Sequence, residues 1–163
     1  MSVDAALSRF AAVAVQDAVV GVLSSVIVEV ADLPGARLGQ SLGTTILIDR
    51  DAAGFGWFVD QTPWDDEEFA AAASGEDLVA LPQNAADGRT DLLTVVMHEL
   101  GHVLGYEHSD AGLMQATLPA GVRRSLGRYP LANEAQEELD WETLLDDSAT
   151  DQASLDACFA ALG

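Results

Sequence analysis

His98-Glu99-Leu100-Gly101-His102-Val103-Leu104-Gly105-Tyr106-Glu107-His108 contains all three histidines of the 163-residue chain. Residues four apart on a helix project from one face, so His98 and His102 can share one ion. Gly105 permits the left-handed backbone that ends a helix and reverses the chain. That reversal returns His108 as a third nitrogen. Three neutral imidazoles suit zinc and leave its fourth tetrahedral position to water, whose pKa zinc lowers to about 7. Glu99 follows His98 and is placed to take a proton during attack on a carbonyl and return it to a leaving amine. Ordinary surface or core histidines do not require this spacing, and a metal site without turnover does not require Glu99.

On the N-terminal side of this stretch, Thr90 or Asp91 caps the helix, and Leu92, Leu93, Val95, Val96, Leu100, Val103 and Leu104 form its apolar face. Upstream, Val26 to Val30 and Thr44 to Asp49 read as strands, rich in β-branched residues. Phe55 to Asp60 reads as a third, thinned by Gly54 and Gly56. Asp60 to Arg89 is irregular, with a short strand at Leu78 to Leu81. Asp4 to about Val20 has helical spacing of Leu7, Phe10, Ala11, Ala14 and Ala18. Downstream, Leu113 to Pro119 is a compact turn region, Asn133 to Asp146 is a helix, and Asp151 or Ser154 caps a last helix.

The central stretch resembles the zinc-binding signature of the metzincin metallopeptidases. Met114, in Gly112-Leu113-Met114-Gln115, resembles the methionine turn of that clan. Ser109, Asp110 and the Gly-Leu-Met run are most similar to the matrixins. Gly56-Trp57-Phe58-Val59-Asp60 and Asp65-Asp66-Glu67-Glu68-Phe69 resemble a recurring segment of matrixin-like domains in large bacterial extracellular proteins. The likeness runs from Val26 to Leu118. It implies an α+β, α/β-like metzincin fold: a mixed, mostly parallel sheet, a backing helix, an active-site helix and a small C-terminal subdomain. His98, His102 and His108 would hold zinc, with Glu99 as general base and acid. Gly105 and Met114 would support them, Met114 as a hydrophobic floor. An extended substrate would add to an edge strand, for which Phe55 to Asp60 is the best candidate; Trp57 belongs to the cleft wall or to the core. Asp60, Asp65, Asp66, Glu67 and Glu68 suit calcium, as in the similar matrixin segment, or form a solvated acidic loop. No histidines remain for the structural zinc that matrixins commonly carry, and Cys158 reads as core rather than as a zinc-blocking thiol.

Composition sets the surroundings. Apolar residues make up 49%, enough for a core, and 27 acids against seven arginines and no lysine give a net charge of −20. Such a chain repels phosphate, which excludes nucleic acid and anionic membranes as partners, and no stretch is apolar enough for membrane insertion. Residues 129–163 hold nine acids and no base, which divides a catalytic domain at 1–125 from an acidic helical extension at 126–163. The first residues lack a signal peptide, so an extracellular or cell-surface protein would carry its address elsewhere, and the chain would be part of a longer polypeptide. The expected activity is that of a zinc-dependent endopeptidase acting on protein or peptide substrates by attack of zinc-bound water. The alternative is a non-catalytic or self-processing zinc- and calcium-binding module of a large bacterial surface protein.

Overall fold

Residues 2–13, 17–73 and 77–126 are described by the structure, a computed structural model. Backbone contacts divide the chain into Met1–Leu131 and Ala132–Gly163. The helices expected at Asn133 to Asp146 and after Asp151, with Cys158, lie outside the described residues.

The first helical stretch forms two helices, α1 (Ser2–Val13) and α2 (Asp17–Ser24). Strands β1 (Ile27–Ala31), β2 (Gly39–Leu42) and β3 (Thr45–Asp49) follow and form one sheet in the order β1-β3-β2. The pair β1 and β3 is parallel, whereas β2 and β3 are antiparallel. The reason is the connection: Gly43 and Thr44 alone link β2 to β3, and a two-residue turn can join only antiparallel strands. Gly43, at φ 57°, supplies the left-handed position that such a turn uses.

Strand β4 is only Trp57–Phe58 and pairs in parallel with β7 (Thr90–Asp91). Between them, β5 (Phe69–Ala71) and β6 (Asp77–Ala80) form an antiparallel sheet with β8 (Val122–Arg124), in the order β5-β6-β8. The sheet structure thus departs from the expected mostly parallel sheet. Among the described residues there are three small sheets, and three of the five pairings are antiparallel: β2–β3 and β5–β6 join consecutive strands, and β6–β8 joins strands distant in the chain.

Helix α3 (Leu92–Val103) is the centre of the core. Val96, Met97 and Leu100 are fully buried, and α1 packs across them through Ala5, Ala6 and Phe10. Two adjacent alanines let the helix backbones approach closely. Ile46 and Ile48 of β3 complete the same cluster, consistent with alternate residues of a half-buried strand.

Asp49 ends β3 and builds the turn that follows. Its carboxylate accepts hydrogen bonds from the backbone N–H groups of Leu33, Asp51 and Ala53 at 2.9, 3.2 and 2.8 Å. Ala52 and Ala53 sit at φ 59° and 54°, in the left-handed region, and these bonds hold them there. The donated bonds lower the Asp49 pKa from 3.8 to about 2.

A second cluster surrounds Arg123, whose side chain is completely buried. Nε donates to Asp91 Oδ2 at 3.1 Å and Nη2 to Asp91 Oδ1 at 2.9 Å, a two-pronged pair. Nη2 also meets Asp60 Oδ2 at 2.7 Å. Nη1 donates to Asp66 Oδ1 and to the Asp65 carbonyl, at 3.0 and 3.2 Å. All the hydrogen-bonding capacity of the guanidinium is thereby used. Its flat face lies 4.3 Å from the Phe69 ring centroid.

Two outcomes are expected. Arg123→Met should lower stability by about 3–5 kcal/mol in urea unfolding, because Asp60 and Asp91 are left buried without their countercharge; Arg123→Lys should restore little of it, since an ammonium cannot reproduce the planar fork. Asp49 is depressed in the folded chain, so its contribution is present above its unfolded pKa near 4 and is lost as pH falls through about 2. Acid unfolding of Asp49→Asn should therefore be less steep between pH 4 and 2 than that of wild type, from a lower starting stability at pH 7.

Candidate active site and metal centre

The site is assembled by the two ends of α3. At its start, Asp91 is the N-cap: its carboxylate accepts the Thr94 N–H at 3.1 Å and the Thr94 hydroxyl at 2.6 Å. At its end, Gly105 adopts φ 87°. Gly105 N–H donates to the His102 carbonyl at 2.9 Å and Tyr106 N–H to the Gly101 carbonyl at 3.0 Å. This is the Schellman pattern of helix termination, and it explains why glycine stands there. The reversal brings His108 beside His102.

His98 Nε2 and His108 Nε2 lie 3.1 and 3.2 Å from His102 Nε2. The tautomers follow from the opposite ring nitrogens. His98 Nδ1 is 2.9 Å from the Leu113 carbonyl and His102 Nδ1 is 2.8 Å from the Tyr106 carbonyl. A carbonyl can only accept, so each Nδ1 carries hydrogen and each Nε2 presents a lone pair. Two acceptors facing each other at 3.1 Å have no proton to share, so a cation is what makes their convergence favourable. Tetrahedral zinc with bonds of about 2.0–2.1 Å spaces its ligands about 3.3 Å apart, close to what is found. The three histidines therefore fit zinc. Burial and the neighbouring positive groups lower the His98 pKa, against the opposing pull of the Leu113 carbonyl, which keeps the imidazole in the neutral form that a metal needs.

Glu99 is buried on the other flank of the helix, and burial raises its pKa, with His102 and the Ser41 backbone N–H opposing the rise. The alternation along β2 accounts for that N–H. Leu38 accepts a bond from Asp49 N–H, so Leu38, Gln40 and Leu42 direct their backbone groups at β3, and Gly39 and Ser41 direct theirs to the open edge. A side chain on Gly39 would put Cβ 2.7 Å from Glu99 Oε1, so the carboxylate rests directly against the edge strand.

Met114 lies on the opposite side. A Cβ on Gly101 would come within 2.4 Å of its sulfur. The Met114 carbonyl accepts the Ser109 N–H at 3.0 Å, which ties the methionine turn to the residue after His108.

His98, Glu99, His102 and His108 line a cavity of about 890 Å3 between β2, α3 and the segment 113–120. Its edge strand is β2, not Phe55 to Asp60. Gly39-Gln40-Ser41-Leu42 has no β-branched or aromatic residue, so nothing in its composition announces a strand. Phe55 does reach the cavity and is exposed, but Trp57 packs on the core and donates Nε1–H to the Asp49 carbonyl at 2.8 Å.

The five acids assigned to calcium do not converge. Asp60 and Asp66 bind Arg123, and Asp66 also meets Arg9 at 3.2 Å. Asp65 accepts the Glu67 N–H through its side chain at 3.3 Å. Glu68 has a buried oxygen without a hydrogen-bond partner among the described residues, and burial raises its pKa. A guanidinium thus balances Asp60 and Asp66 in this structure. Among the described residues, His98, His102 and His108 are the group whose metal-binding atoms come together, within 4.8 Å.

A helix carrying two of three clustered imidazoles, a glycine-ended turn carrying the third and a buried glutamate beside them define the metal-dependent hydrolase class of site. Comparison with protein families matches residues 34–125 to Matrixin, more than half of the chain, and the protein belongs to the matrixin family of zinc metallopeptidases. No curated protein and no solved structure matches the chain.

The two close-approach glycines give a test. Gly39→Ala should displace the Glu99 carboxylate and lower peptide-cleaving activity by at least tenfold while zinc content stays near one per chain. Gly101→Ala should overpack the methionine turn, costing about 1–3 kcal/mol of stability and weakening zinc retention. Zinc analysis, thermal melting and a casein assay separate the two effects.

Proposed function

We propose that the chain is a zinc-dependent endopeptidase in which His98, His102 and His108 hold the metal and Glu99 handles the proton. The observation that carries this reading is the placement of a buried carboxylate between three convergent nitrogens and an open strand edge. Zinc held by the three histidines would supply a Lewis acid and lower the pKa of water.

The chain's own residues do the rest. Gly39 and the Ser41 carbonyl face outward from β3, and an extended peptide that adds there as a further strand, beside the Glu99 carboxylate that takes the Ser41 N–H, sets its carbonyl beside the histidines. Glu99 removes the proton from the attacking water and delivers it to the departing amine nitrogen. Its raised pKa brings the carboxylate closer to neutrality, so the same group can accept and then release the proton. The Leu113 and Tyr106 carbonyls hold the imidazole rings in their metal-facing tautomer. Met114 packs beneath Gly101 and fills the floor with an apolar group, which keeps water from the back of the site. An exported setting suits a chain of net charge −20, whose self-repulsion salt screens.

Removing the carboxylate tests the assignment. Glu99→Ala should bind zinc as wild type does and lose about 10²- to 10⁴-fold in kcat on casein or gelatin. Chelation should abolish wild-type cleavage and added zinc should restore it. Zinc-loaded wild type that cuts neither broad substrates nor its own chain would sink the endopeptidase reading in favour of a structural metal module; cleavage of its own chain alone would make it self-processing.

A further inference from the structure

The cavity contradicts the charge of the chain that encloses it. Among the described residues Glu99 is the one acid that lines it, whereas two arginines line it, Arg37 and Arg124. Arg37 is exposed and donates to Gln40 Oε1 at 3.2 Å. Arg124 is different: it is only 4% exposed, so its charge stands inside the cavity wall.

Its position follows from β8. Arg123 and Arg124 are neighbours on one strand and so project to opposite faces. Arg123 enters the acid cluster, and Arg124 enters the cavity. The Arg124 backbone N–H donates to Thr94 Oγ1 at 3.0 Å, and Thr94 lies one helical turn before His98 on the same face of α3. On the other side, Arg124 Nη1 donates to the Thr117 carbonyl at 2.6 Å, in the segment that faces α3 across the cavity. Arg124 thereby closes the end of a recess running from His98 between Thr94 and Thr117. Nε is paired with Asp77 Oδ1 at 3.3 Å, and Asp77 does not line the cavity. Nη2 has no acceptor among the described residues. A guanidinium with one nitrogen spoken for by a carbonyl, one by a partly exposed carboxylate and one left over presents donors to whatever side chain enters the recess.

We propose that this recess is a specificity pocket for an acidic side chain, so that the enzyme cleaves peptide bonds flanked by glutamate. The inference rests on the peptidase reading and adds the substrate class to it. Glutamate reaches further than aspartate into a recess that begins at His98, and its carboxylate would accept a charge-assisted bond from Nη2. Leucine would cover Nη2 without offering it an acceptor, and lysine would meet a like charge in a partly desolvated site.

Matched internally quenched peptides carrying Glu, Gln, Leu or Lys on either side of one scissile bond test this with the zinc-loaded chain. The Glu peptide should be cut about 10- to 100-fold more efficiently in kcat/KM than the Leu peptide, as expected of a hydrogen bond to a charged group. The preference should shrink with rising salt. Arg124→Met should erase it by lowering kcat/KM for the Glu peptide toward that of the Leu peptide. If that variant melts early, binding settles the matter: fluorescence anisotropy of the labelled Glu and Leu peptides on zinc-loaded Glu99→Ala protein reads the preference without turnover and without altering Arg124. Equal or tighter binding of the Leu peptide, or equal or faster cleavage of it, overturns the proposal while leaving the peptidase reading intact. Failure to cut any of the peptides with zinc bound counts against the peptidase reading, and the binding comparison still decides the role of Arg124.

Discussion

A buried guanidinium organises this domain. Arg123 has no contact with solvent, and an isolated charge in that position would be prohibitively unfavourable. It is tolerated because three carboxylates and a carbonyl surround it, and those groups come from distant parts of the chain. Asp60 follows β4, Asp66 precedes β5, and Asp91 starts α3. The acids in turn need the arginine, since each would otherwise repel the others. The cluster is therefore a mutual constraint that fixes where the irregular segment 60–89 returns to the sheet and where α3 begins. The start of α3 fixes the rotation of the helix, and its rotation decides where His98 and His102 point.

Asp91 shows how closely fold and site are joined. One carboxylate caps the helix, receives the Thr94 hydroxyl and accepts from both Nε and Nη2 of Arg123. A negative charge at a helix start also opposes the positive end of the helix dipole. Thr94 passes the connection on, since its oxygen accepts the Arg124 N–H. The chain of contacts from Arg123 through Asp91 and Thr94 to Arg124 thus leaves β8 and comes back to it. On the far side of the helix, positions are set by missing side chains. Gly39 leaves room for the Glu99 carboxylate, and Gly101 leaves room for the Met114 sulfur. Side chains at either place would act directly on the metal-facing groups.

The metal-facing half of this arrangement is legible in the sequence because its parts are local. Four-residue spacing puts two histidines on one helix face, and Gly105 does its work within one turn. The α3 cap at Asp91 is legible for the same reason. The cleft wall is not. β2 has no strand-like composition; it is a strand because a two-residue turn folds it onto β3 and because Glu99 fills the space over Gly39. Phe55 to Asp60, with better composition, yields only two paired residues, since left-handed Gly54 and Gly56 and the buried Asp60 take the backbone elsewhere. The acidic run is open in the sequence to two readings, a calcium site or a solvated loop. Its cation was hidden because Arg123 lies 57 residues from Asp66 and 63 from Asp60 in the chain. A signal was nonetheless present: adjacent arginines are conspicuous in a chain with only seven bases.

The alternation of β8 has a consequence for how the site tolerates change. Arg123 and Arg124 are held by the same short strand, but they serve different surroundings. The bond that seats β8 at position 124 is made by the backbone N–H to Thr94, so it survives any side chain there except proline. The Arg124 side chain pairs with Asp77, which is 29% exposed and can be hydrated when its partner is lost. The side chain of Arg123, by contrast, faces the Asp60 and Asp91 carboxylates, which water does not reach. One strand therefore carries a residue the fold cannot exchange next to one that the cavity can. That separation lets the charge of the recess vary while the helix that carries the histidines stays where Arg123 fixes it.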